Sequence, residues 1–267
     1  MWRILTVLLL IGLTAPIPAP AQAQGVGRQL VETIDGPDGQ PRRVIFLLPP
    51  EPTAAVLLFP GGDGVVGIGT TGFVRYEDNF LVRTRALWRS ENLAVALPDT
   101  PAGTSLLGRR GSADFADAAA AILARLRALT GSVPIFLVGT SQGSTGAANL
   151  AAALPPGRIA GLVLTSPVSQ RNAGGETVYD GHPEQVAVPS LIVVHAADTC
   201  RLSPPGEAAK LAATLAQAAR HDILRIEAPS PLRGPACGPF APHGYLNAEG
   251  TTVRQITAWM RRISPKP

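Results

Sequence analysis

The sequence has 267 residues, 46% of them hydrophobic, which is enough for one domain with a large core. A formal net charge of +4 with no Lys- or Arg-rich run does not suggest a phosphate-tracking surface, so no nucleic acid is expected as a partner. No apolar run reaches the length of about 20 residues that spans a bilayer, so no stable membrane anchor is expected either.

The chain opens with MWRILTVLLLIGLTAPIPAPAQAQG. Arg3 precedes an apolar run from Ile4 to Leu13, and a Pro/Ala segment then ends in Ala21-Gln22-Ala23. This pattern predicts a signal peptide over 1–23, a single domain over 24–267, and a periplasmic or secreted protein. Cleavage after Ala23 removes Arg3 and no acidic residue, so the charge falls by one to +3.

Strands are expected at 42–49, 54–60, 93–99, 134–140, 160–166, 190–196 and 222–228. Most are unbroken apolar runs, the mark of strands covered on both faces. Helices are expected at 79–91, 113–129, 142–154, 206–219 and 251–263, with Ser112 as the N-cap of the second. The alternation predicts an α/β fold with a mostly parallel sheet and helices on both sides. The first two strands have no helix between them, so that end of the sheet should be antiparallel. Pro- and Gly-rich loops at 61–72, 100–111, 167–189 and 229–250 each follow a strand. In open α/β sheets such loops carry the site.

Gly139-Thr140-Ser141-Gln142-Gly143 has the G-x-S-x-G spacing at a strand-to-helix junction. A sharp turn there lifts a serine hydroxyl clear of the sheet. Side chains two positions to either side would collide with strand and helix, which favours glycine at both. Ser141 is therefore the candidate nucleophile, and it needs a base. Four histidines compete. His195 lies inside a strand and His221 opens one on the edge away from the site. His243, in APHGYLNAEG, follows the last strand and precedes the last helix, where the base belongs in the order serine, acid, histidine. The acid should end the strand before the histidine's own, which points to Asp198, with Asp180 and Asp99 as competitors. A developing oxyanion needs backbone donors. One is expected at Gln142. The other should come from FPGGDG, with Gly62 first and Asp63 next.

These residues resemble an α/β-hydrolase from about residue 29 to about 263. The carriers are GTSQG, FPGGDG, Asp198 at a strand end and HGYLNAE at His243. The chain is similar to small bacterial dienelactone-hydrolase-like and esterase-like members. The resemblance implies an eight-stranded sheet and hydrolysis of an acyl bond in a small-molecule substrate, without metal or organic cofactor. Pro60 stands where many relatives have His, and serine stands where dienelactone hydrolases proper have cysteine. The segment at 167–189, where many relatives insert a helical cap, has only 23 residues and should leave the site open.

Cys200 lies two residues after Asp198, and Cys237 six before His243. The two loops must approach for carboxylate and imidazole to meet, so a Cys200–Cys237 disulfide is expected, the alternative being two buried thiols. Arg109-Arg110 reads as a solvated pair. The leading function is an exported serine hydrolase acting on carboxylic esters. Peptidase, thioesterase and acyltransferase chemistry use the same triad, and a non-catalytic binding protein is the alternative class.

Overall fold

The computed structural model describes residues 27–171 and 175–264, so the signal peptide expected at 1–23 lies outside the described residues. In chain order the elements are β1 (Arg28–Asp35), β2 (Pro41–Leu48), β3 (Ala54–Phe59), α1 (Phe80–Arg83), α2 (Arg85–Ser90) and β4 (Leu93–Pro98). There follow α3 (Ala113–Thr130), β5 (Ile135–Thr140), α4 (Gly143–Ala153) and β6 (Gly161–Thr165). The chain ends with β7 (Ser190–His195), α5 (Ala208–Thr214), β8 (His221–Ile226) and α6 (Glu249–Ile263).

Unbroken apolar strands need cover on both faces, and the cores supply it. In β3, Ala55, Leu57 and Phe59 join one core cluster, while Ala54, Val56 and Leu58 join the other. In β5, Ile135 and Leu137 separate from Phe136 and Val138 in the same way. The first cluster is closed by α3, α4 and α5 through residues such as Leu126, Leu150 and Leu211. The second is closed by α1, α2 and α6 through residues such as Phe80, Trp88 and Trp259. The sheet is thus sandwiched between two helical layers.

Eight strands form one sheet in the order β1-β2-β4-β3-β5-β6-β7-β8. β2 runs antiparallel to both β1 and β4, and all other pairs are parallel. The antiparallel end is present as expected, but β2 is not beside β3, because β4 lies between them. β1 is absent from the seven apolar runs because RQLVETID has no such run. Its apolar residues divide instead, Leu30 and Ile34 to one core and Val31 to the other.

Two helices differ from their expected spans. The 79–91 helix is broken at Thr84, whose backbone (φ −92°, ψ 1°) leaves helical geometry. Thr84 Oγ1 donates to Phe80 O at 2.7 Å and accepts from Trp88 Nε1 at 3.1 Å, which satisfies the indole in the core. The 206–219 helix stops early, at Thr214, and Leu215 turns into the core instead of continuing the helix. Ser112 caps α3 as expected, its hydroxyl accepting from Phe115 N.

Leu137 is fully buried in the middle of the central strand β5. Leu137→Ala should lower the unfolding free energy by about 2–5 kcal/mol. Urea titration checks this through a lower midpoint at an unchanged slope.

Candidate active site

β5 delivers the chain to Ser141, which adopts φ +51°, a left-handed backbone rare for a residue with a side chain. The turn is tight enough to exclude side chains beside it. A Cβ on Gly139 would lie 2.6 Å from Gly143 O, and one on Gly143 only 1.9 Å from Phe59 O. The collisions foreseen from the spacing are therefore with the start of α4 and with the end of β3. Ser141 N donates to Thr165 O at 2.9 Å, which ties the elbow to β6.

His243 sits in a 3-10 turn, Pro242–Gly244, between β8 and α6. Its Nε2 lies 3.0 Å from Ser141 Oγ, and its Nδ1 lies 3.0 Å from Asp198 Oδ2. Asp198 follows β7, is 7% exposed, and accepts from Cys200 N at 2.8 Å through its other oxygen. With Nδ1–H directed at the carboxylate, Nε2 is left as the acceptor facing the serine. The structure thus brings Ser141, His243 and Asp198 into one hydrogen-bonded chain.

The competing acids are engaged elsewhere. Asp180 accepts from Thr177 N and Oγ1 and from Arg171 Nη2 in a 3-10 turn. Burial works to raise its pKa, but these bonds prevail and hold the carboxyl below its usual range. Asp99 accepts from Val66 N, Ile68 N and Thr100 N and so organises the loop after β3. His195 is buried, with Nε2 bonded to Ala228 O and Nδ1 accepting from Ala197 N, and burial pushes its pKa down. His221 is exposed on the edge strand β8.

A cleft of about 220 Å³ opens over the serine, lined by residues including Gly61, Gly62, Tyr76, Asn79, Ser141 and His243. No described residue of 167–189 lines it, so the short segment after β6 leaves it uncovered. Gly61 passes close under the serine, where a Cβ would stand 2.9 Å from Ser141 Cβ. Gly62 follows at φ +63°. Among the described residues, the N–H groups of Gly62, Asp63 and Gln142 donate to no protein acceptor.

Several residues at the site carried no sequence signal. Ser203 Oγ is 2.9 Å from His243 Nδ1 and 3.4 Å from Asp198 Oδ2, so it flanks the carboxylate–imidazole bond. Ser166 Oγ is 3.0 Å from both His243 O and Tyr245 Oη, and Tyr245 Oη donates to Val193 O at 2.9 Å. Full burial raises the Tyr245 pKa, so the phenol stays protonated. Arg83 grips the same loop at Pro239 O, Gly244 O and Glu249. Ser203 and Ser166 belong to no motif, whereas Tyr245 lies in APHGYLNAEG beside His243. The expectation of a solvated Arg109-Arg110 pair holds for Arg109 alone. Arg110 is 1% exposed, because Asn149 draws its carbonyl inward and Glu176 accepts from its N–H.

The comparisons with known proteins agree with this architecture. A family model for the alpha/beta hydrolase fold matches residues 96–185. The chain has an α/β-hydrolase fold. A Xanthomonas campestris protein, XC6422, described as an α/β serine hydrolase without lid, superposes at TM-score 0.61 and 17% identity, covering 90% of this chain and 96% of that one. A dienelactone hydrolase from Anabaena variabilis superposes at TM-score 0.61 and 15% identity, over 90% and 99% of the two chains. The Pyrococcus furiosus esterase PF2001 does so at TM-score 0.65 and 12% identity, over 89% and 91%. No curated protein matches the sequence.

Within this α/β-hydrolase fold, Cys200 and Cys237 form a disulfide with their Cα atoms 4.6 Å apart. It joins the turn that carries Asp198 to the loop that carries His243. The bridge spans 37 positions, a loop worth about 3–4 kcal/mol in the chain-entropy account. Cys237→Ser should lower the thermal midpoint and loosen His243. Melting curves with and without reductant check the first effect, and hydrogen exchange across 229–250 the second.

Proposed function

We propose that this chain is an exported serine hydrolase that cleaves carboxylic esters through an acyl-enzyme. The observation that carries the reading is the chain of two 3.0 Å contacts from Ser141 through His243 to a buried Asp198 at the floor of an open cleft. A serine hydroxyl is a weak nucleophile until a base takes its proton. His243 Nε2 takes it as Ser141 Oγ attacks the ester carbonyl. Asp198 keeps the imidazole in the required tautomer and stabilises the imidazolium. The N–H of Gln142 and an N–H of the Gly62–Asp63 loop receive the oxyanion. His243 then protonates the leaving alcohol, and water attacks the acyl-enzyme by the same route in reverse. No step uses a metal or an organic cofactor.

Three observations support the finer parts of the reading. Esterases and a lidless serine hydrolase are among the proteins of similar fold. An uncovered cleft suits small acyl substrates. A signal-like N-terminus with a disulfide suits export to the periplasm or beyond, and among the described residues no helix is long and apolar enough to cross a membrane.

A fluorophosphonate probe should label the wild type at Ser141, and p-nitrophenyl esters of increasing chain length should be turned over. Ser141→Ala should abolish labelling and leave less than about a tenth of kcat. Retention of more would exclude Ser141 as nucleophile. A protein that neither reacts with the probe nor hydrolyses any ester would be a binding protein on this fold.

Asp198→Asn should fold normally and lose several orders of magnitude in kcat, about 10⁴-fold by analogy with the orienting carboxylate of other triads. Asp180→Asn should leave kcat nearly unchanged. The reverse pattern in steady-state kinetics would move the acid to the earlier loop.

A further inference from the structure

Arg110 takes no part in the Ser141–His243–Asp198 chain, yet it is among the largest fully buried side chains. A buried cation persists only where it is paired and hydrogen-bonded. Here Nη2 donates to Gly62 O at 2.9 Å and approaches Pro60 O at 3.4 Å, while Nη1 lies 3.8 Å from Glu176 Oε1. Glu176 is buried too, and its carboxylate accepts from Arg110 N at 3.1 Å and Gly111 N at 3.3 Å. Burial draws the guanidinium down to about 10, against the pull of the Glu176 and Asp63 carboxylates, so it remains a cation at neutral pH.

The backbone from Pro60 to Gly64 separates two spaces. On one side is a cavity of about 40 Å³ whose walls include Pro60, Gly64 and Arg110. On the other is the cleft over Ser141, whose walls include Gly61, Gly62 and Asp63 but not Arg110. Among the described residues every peptide bond is trans, so each carbonyl points opposite to the N–H that follows it. The Gly62 carbonyl is held on the Arg110 side, which turns the Asp63 N–H toward the cleft. The turn is closed by Gly64 N donating to Gly61 O at 3.2 Å, with Gly62 at φ +63°. The fit is close, since a Cβ on Gly64 would stand 2.9 Å from Arg110 Nη2.

We propose that Arg110 is a positioning residue of the hydrolytic reaction: from behind the loop it holds the carbonyls of Pro60 and Gly62 and so aims the Asp63 N–H at the oxyanion formed on Ser141. The proposal rests on the hydrolase reading above. A charged donor on the Gly62 carbonyl also polarises the Gly62–Asp63 peptide and strengthens its N–H as a donor. Glu176 balances the buried charge and fixes the backbone from which Arg110 reaches.

The test compares wild type with the double variant Arg110→Met, Glu176→Gln, which leaves neither charge buried alone. Two quantities are read. One is kcat and KM for p-nitrophenyl butyrate. The other is the affinity for an alkyl trifluoromethyl ketone: Ser141 Oγ adds to its carbonyl carbon, the serine proton passes to His243, and the carbonyl oxygen becomes the oxyanion. The double variant should lose about 10- to 100-fold in kcat, less than deletion of a donor outright, while KM moves less than about 3-fold. Ketone affinity should fall by the same factor as kcat. Arg110→Lys, with one charged donor near the carbonyls, should recover part of both. A folded double variant with kcat and ketone affinity within about 3-fold of wild type overturns the proposal, as does a loss carried wholly by KM. If the double variant does not fold, Arg110→Lys alone decides. Parallel losses in kcat and ketone affinity support the role, and unchanged values overturn it. Wild type that neither turns over the ester nor binds the ketone sinks the hydrolase reading itself, a result distinct from a wild type that does both and a variant that matches it.

Discussion

The site depends on one steric constraint at the top of the sheet. Ser141 is held at φ +51° in the narrow space between β5, α4 and the end of β3. A left-handed backbone at a residue with a side chain costs about 1–3 kcal/mol, and it persists only where the surroundings dictate it. Here Gly143 lies against Phe59 O so closely that no Cβ fits. The same contact sets the neighbours. Phe59 and Gly139 are paired in register, so the loop leaving β3 and the elbow leaving β5 emerge side by side. β6, β7 and β8 then follow in order across the sheet, and the loop after each contributes to one cluster.

Such an arrangement places His243 on an irregular part of the chain. Between β8 and α6 the backbone has only one short 3-10 turn, and an irregular segment of that length carries a large conformational entropy. His243 is therefore held from outside its own loop. The disulfide fixes one flank to the acid turn. Ser166 and Tyr245 fix the other to β6 and β7, and Arg83 holds the carbonyls between them. Each anchor comes from an element already immobilised by the core. That matters because an ångström of misplacement at a general base can cost about 100-fold in rate.

Asp198 and Arg110 are buried charged groups near the site, and each is held by a different set of partners. Asp198 receives an imidazole N–H, a backbone N–H and a serine hydroxyl. Arg110 is set against Glu176 and two loop carbonyls. Low dielectric strengthens such contacts and makes an unpaired member costly, so the pairs fix geometry more than they add stability. One set orients His243, and the other braces the loop that faces it.

The sequence alone determined the sheet's parallel body, five helical regions and the elbow around Ser141, and it singled out His243 and Asp198, which the fold brings within hydrogen-bond reach of each other and of the serine. These features are written in local chemistry: unbroken apolar runs, glycines where a Cβ cannot fit, and polar residues at strand ends. It also placed the cysteines near enough to Asp198 and His243 to imply their bridge. Only the tertiary structure decided the rest. β1 carries mixed residues whose pairing with β2 is visible only across the sheet. The break at Thr84, whose hydroxyl accepts from the Trp88 indole, has no Pro or Gly to mark it in the sequence. Ser203, Ser166 and Arg83 act on His243 or its loop from 40 to about 160 positions away, and no local pattern encodes such separations. Arg110 is the clearest case. It shares its sequence context with an exposed Arg109, and only the contacts of Asn149, Glu176 and the Gly62 carbonyl, residues distant along the chain, determine which of the two is drawn inside.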